Sequence, residues 1–122
     1  METIKCGGIT YPAYIIEAYG QKECVYLVKN KYRNGNGLAI DVMCIGEDGF
    51  PELYGSLTVS IPGYPAKEGY AFLKTYSENR EWAEALARKA GARPTGVVVT
   101  NNFGVQFPLW DFGDVQFEAA DA

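Results

Sequence analysis

The densest local chemistry in the chain is NKYRNGNG, from Asn30 to Gly37, where Lys29, Lys31 and Arg33 surround Tyr32. Cations beside an aromatic ring on a turn can grip a phosphate and stack a base, which makes these four residues a candidate nucleotide or small-ligand site. The same residues also make an ordinary soluble hairpin tip, and three cations supply little electrostatic affinity. NGNG is no phosphate loop, because it lacks the Gly-Lys-Ser/Thr ending and opens no helix. Two carboxylate pairs, Glu47 with Asp48 and Asp111 with Asp114, have acid–base or metal chemistry open to them. Both stand beside a glycine, where turns favour an acid. Cys6, Cys24 and Cys44 are far apart in apolar, strand-like segments, the pattern of buried reduced thiols. The absence of histidine removes Ser-His and Cys-His nucleophilic chemistry and the commonest metal ligand. A non-catalytic protein without metal or cofactor is the expectation, with a carboxylate-only hydrolase as the enzymatic alternative.

Charge is segregated along the chain. The first 93 residues carry 11 basic and 11 acidic groups, whereas no Lys or Arg follows Arg93 and Asp111, Asp114, Glu118 and Asp121 do. The net charge of −4 therefore belongs to the C-terminal segment, which attracts a basic partner and repels a polyanion. Trp110 lies in this segment, and Tyr64, Tyr70 and Tyr76 lie in or beside the stretch that precedes the helix. Aromatic rings on loops are frequent anchors at protein interfaces. Trp82 and Trp110 have an equally good role as core anchors.

These groups are positioned by a chain that reads mostly as strand. Segments 9–19, 23–29, 37–46 and 53–61, joined by Gly20-Gln21, two Asn-Gly pairs and Asp48-Gly49, predict an antiparallel meander. In the last of them Leu53, Gly55, Leu57, Val59 and Ile61 alternate with polar residues, which predicts one apolar face. Residues 62–72 hold two prolines and two glycines and predict a loop. Trp82, Ala83, Leu86, Ala87 and Ala90 share one side of a 3.6-residue period, so a helix is predicted over Glu78 to Ala90, capped by Ser77 and stopped by Gly91. Residues 96–100 and 105–112 predict two more strands. The expected architecture is α+β: an antiparallel sheet of five or six strands with one amphipathic helix packed on one face by Trp82, Leu86 and Ala87. One domain spans 1–122 and ends in a short polar tail, EAADA. Nothing resembles a secretory leader or an apolar run of membrane-spanning length, so a cytoplasmic protein is expected.

The order of pieces has a counterpart. NGLAIDV after an Asn/Gly turn, LYGSLTVSIPGYP, GYAFLKTYSEN, EWAEALARKAGA, Pro94-Thr95-Gly96 and the closing FGVQFPLWDF together resemble domain-of-unknown-function family 4313 over about Asn36 to Phe112. Leu73-Lys74-Thr75-Tyr76 departs from the more Asp/Asn-rich stretch expected there. The resemblance implies a short protein of bacterial mobile elements or phages, with no catalytic residues attached. Its implied role is a non-catalytic interaction protein, such as a counter-defence inhibitor binding a basic surface of a host nucleic-acid-handling protein. Asp111, Asp114 and Glu118 would then supply the charge and Trp110, Tyr64 and Tyr70 the anchors, without direct nucleic-acid binding. The alternative is the small-ligand or nucleotide binder built on Lys29, Lys31, Tyr32 and Arg33.

Overall fold

A computed structural model describes residues 2–31, 38–61 and 63–119. Five strands follow one another in a meander: β1 (Thr3–Cys6), β2 (Ile9–Ala18), β3 (Gln21–Lys31), β4 (Leu38–Ile45) and β5 (Pro51–Ser56). A second sheet of four strands has the order β6 (Thr58–Val59), β7 (Tyr70–Leu73), β9 (Gln106–Asp111), β8 (Arg93–Thr100). Between β7 and β8 lie a 3₁₀ turn, Ser77–Asn79, and the helix α1, Ala83–Lys89. The fold is therefore α+β with two antiparallel sheets, where a single sheet of five or six strands was expected.

The difference arises at one residue. The expected strand 53–61 breaks at Leu57, which is fully buried. Its N–H donates to the Ile40 carbonyl in β4 (2.9 Å), and its carbonyl accepts from the Lys74 N–H just beyond β7 (2.8 Å). Residues before it pair in the first sheet and residues after it in the second. The predicted face also changes, because the β4–β5 register shifts between Val42 and Met43. Such a bulge turns the side chains on its two sides to opposite faces. Leu53 is accordingly 63% exposed, whereas Tyr54 packs on the core with its ring centroid 5.2 Å from that of Trp82.

Three further expectations are corrected. The meander, expected to start at residue 9, has a further strand before it, Thr3–Cys6, closed onto Ile9 by Gly7-Gly8, both at positive φ. Tyr70 to Phe72, expected as loop, belong to β7. The helix begins only at Ala83, after Trp82, with no side-chain cap, and Ser77 lies at φ 55. The cause is Asn79, fully buried, whose amide nitrogen donates to the Ser56 carbonyl (2.6 Å) and the Lys74 carbonyl (3.1 Å). Drawing that side chain inward holds residues 77–79 in a 3₁₀ turn. The C-terminus ends as expected: Gly91, at φ 97, sits between the Gly91 N–H to Arg88 and Ala92 N–H to Ala87 bonds of a Schellman motif.

One core cluster draws on both sheets and the helix. Ile16, Val25, Leu27, Ile40 and Val42 come from the first sheet, Ala71, Leu73 and Trp110 from the second, and Trp82, Leu86 and Ala87 from the helix segment. Of the cysteines, only Cys44 packs against this interior, at its margin. All three are free, Cys24 is exposed, and Cys6 and Cys44 are half-buried, which corrects the expectation of buried thiols.

Two tests follow from these contacts. Asn79→Ala removes both donors to buried carbonyls and is expected to lower unfolding free energy by about 2–4 kcal/mol, read as a shifted urea midpoint with unchanged slope. Tyr26, in mid-sheet and 2% exposed, has its phenol pushed up to about 12, first by burial and then by a hydrogen bond shared with Cys6. A folded-state value raised above the ordinary 10 stabilises fully below about pH 10, and this stabilisation is lost as pH rises toward 12. Urea midpoints measured across that window are expected to fall less steeply for Tyr26→Phe than for the wild type.

Candidate functional site

A cleft of about 640 Å³ opens where the ends of both sheets meet the segment after β9. One wall is Lys29 and Asn30 of β3 with Leu38 of β4, the other is Phe112 to Phe117, and Glu68 with Gly69 closes the side. Each wall has a local cause. Gly69 precedes β7 at φ 84, and its carbonyl accepts from the Phe112 N–H (2.8 Å). A Cβ on Gly69 would stand 3.8 Å from the Gly113 Cα, so the two backbones pass close together. Phe112 is buried as the cleft floor, and a turn from the Phe112 carbonyl to the Val115 N–H (3.1 Å) sends the chain back toward β3. There the Lys29 ammonium stands 5.5 Å from the centre of the Phe117 ring. Asn30 donates to Asp41 Oδ2 at 3.1 Å, which turns its amide to the opposite face of the sheet.

Of the candidate residues that are described, Lys29 alone lines this cleft; the opposite wall is Phe112, Gly113, Val115 and Phe117, the uncharged residues of the C-terminal segment. Lys31 ends β3 opposite Leu38, but its side chain, like Tyr32 and Arg33, lies outside the described residues. Asp111 Oδ1 accepts from the Gly113 N–H (2.8 Å), so this carboxylate holds the turn at the cleft's edge. Asp114 pairs with the Arg93 guanidinium, both groups being about two-thirds exposed. Glu118 is exposed.

The aromatic candidates separate. Trp110 is 2% exposed beneath the Arg88 guanidinium, which lies 5.1 Å from its ring centre, so this ring is a core anchor and not a partner surface. Tyr70 is half-buried and paired with Asp111 across β7 and β9. Tyr64 is exposed. Tyr76 is held between Phe107 (5.7 Å, edge-on) and the Lys74 ammonium (5.6 Å). The other carboxylate pair acts as a turn, with Asp48 Oδ1 accepting from the Phe50 N–H at 3.1 Å. Among the described residues no three of His, Cys, Asp and Glu converge to hold a metal ion, and no helix is long and apolar enough to cross a membrane.

Sequence reasoning missed Asn30, Glu68 and Phe117 as neighbours of Lys29. Phe117 falls between the last predicted strand, 105–112, and the polar tail EAADA, and only its spacing from Phe112 and Val115 hints at an apolar ridge.

The family described as "Domain of unknown function (DUF4313)" matches residues 26–117. The chain belongs to that family. The DUF4313 match starts earlier and ends later than the resemblance in sequence motifs, and it takes in every residue that lines the cleft. It omits β1, β2 and the first half of β3. No curated protein and no solved structure gives a significant match.

The two aspartates have separable roles that substitution will reveal. Asp114→Asn loses only an exposed ion pair and is expected to cost under about 1 kcal/mol. Asp111→Ala frees a turn amide at the cleft's edge and is expected to cost about 1–2 kcal/mol, with shifted amide resonances for Phe112 to Val115.

Proposed function

We propose that this DUF4313 domain is a non-catalytic binding domain whose ligand is a small anion-bearing molecule with a flat apolar part, such as a nucleotide. The observation that carries this reading is the cleft itself. At about 640 Å³ it has the size of small-molecule sites, and it combines one ammonium and one carboxylate with an aromatic floor. Lys29 supplies the cation for the anion, and Phe117 offers a ring face for stacking.

The test is a thermal-shift panel of nucleotides and related anions. A binder at a hundred times its Kd adds about 2.7 kcal/mol of stability, and Lys29→Ala is expected to weaken it at least tenfold. No shift across the panel, or a full response in Lys29→Ala, overturns the assignment.

A second reading is favoured by the exposure of Asp114, Glu118 and Tyr64 in a chain whose net charge all lies beyond Arg93. Here the C-terminal region meets a basic protein surface, in the manner of an inhibitor of a host nucleic-acid-handling protein. Trp110 and Asp111 drop out of that interface, since one is core and the other serves a turn. This reading requires a salt-sensitive partner that is lost from Asp114→Ser/Glu118→Ser.

A further inference from the structure

The five-stranded sheet has two apolar faces, and the core covers only one. Pairing fixes the faces. Tyr14 opposite Val25 and Leu27 opposite Val42 point into the core cluster. On the other side, Ala13, Tyr26, Met43 and Leu53 form one row across β2 to β5. Ile15 stands opposite Cys24 beside that row, and Tyr11 opposite Ile4 extends the face onto β1. An antiparallel sheet with one wet face alternates apolar and polar residues along each strand. β3 instead reads Cys24, Val25, Tyr26, Leu27, Val28, with no polar side. Several residues on the open face are still accessible: Ile15 is 49% exposed, Leu53 63%, Ile9 and Ile45 nearly two-fifths, and Cys24 is exposed.

We propose that this face is a homodimer interface, with a second copy of the chain packed sheet on sheet across a twofold axis near the central strand β3. Area favours that occupant. Five strands about 4.8 Å apart, averaging about eight residues, span a plane of about 600 Å². Pleat and side chains raise the accessible area further, into the roughly 600–1,000 Å² per partner of a standard interface. The face also carries ionic groups: Glu2 stands beside Ala13, whose N–H donates to the Glu2 carbonyl (2.9 Å), Asp41 beside Met43 accepts from Asn30, and Glu17 faces Lys22 across the strands. A second sheet stacks on such a face at the usual separation of about 10 Å, with the exposed Ile15 and Leu53 in the contact. A twofold axis brings the same patch of both copies together, so the exposed Ile15 and Leu53 of each copy fall within one interface.

Sedimentation equilibrium of the wild type at about 100 µM is expected to give the mass of two chains, and Ile15→Glu and Leu53→Glu to give folded monomers with at least a hundredfold weaker association. Phe103→Glu, in the β8–β9 turn and 92% exposed, is the control and is expected to leave the dimer intact. If a variant misfolds, the wild type still decides: alkylation of Cys24, followed by peptide mass spectrometry, is expected to slow severalfold as concentration rises through the dimer Kd. A wild-type monomer at 100 µM, a dimer that survives both glutamate variants, or a concentration-independent Cys24 rate overturns the proposal; a monomer would assign the face to a different partner.

Discussion

The backbone of Leu57 is hydrogen-bonded to both sheets at once, and the rest of the structure depends on that double attachment. Its N–H is committed to β4 and its carbonyl to the chain leaving β7. Two neighbours lock the corner. Thr58 Oγ1 accepts from the Ile40 N–H (3.0 Å) and donates to the Leu38 carbonyl (3.2 Å), while Asn79 binds the Ser56 and Lys74 carbonyls. Buried backbone groups are costly to leave unpaired, so a chain that switches sheets inside the core must satisfy every one at the switch. Asn79 meets that need with its two donors, at the expense of its own Oδ1, which is buried without a hydrogen-bond partner among the described residues.

The corner also builds the cleft. Leu38, held by Thr58, begins β4 and lines one wall, directly across the sheet from the end of β3 that carries Lys29 and Asn30. The second sheet carries β7 and β9, and the loop before β7 and the turn after β9 supply the remaining walls. The cleft is thus a seam between two sheets that one residue joins. Its charged lining comes from the first sheet and the loop, and its apolar floor from the chain that follows the second.

Much of this was legible in the sequence. Hairpin turns at Gly20-Gln21 and Asp48-Gly49, the meander through β5, the apolar stripe of the helix and its Gly91 stop all follow from local patterns. The Gly7-Gly8 turn was an available signal for β1, outweighed by the short and polar TIKC run. The sheet switch was hidden for a physical reason. The alternation from Leu53 to Ile61 continues through Leu57, but a bulge in the pairing with β4 and a change of partner strand are tertiary events that alternation does not encode. Asn79 likewise sits in a helix-like stretch, and only the carbonyls across the corner explain why it is not helical. The candidate residues were found mostly one by one; that Lys29 meets Phe117 is a contact 88 positions apart along the chain.

Native-state hydrogen exchange reads the corner most directly. The account predicts that the Leu57 and Lys74 amides, each donating across the corner, exchange only through global unfolding, with protection equal to that of Val25 and Leu27 in the central strand. Exchange of these two amides as fast as that of Gly104 in the β8–β9 turn, while the β3 amides stay protected, would contradict it and would mean that the two sheets are not held together at Leu57.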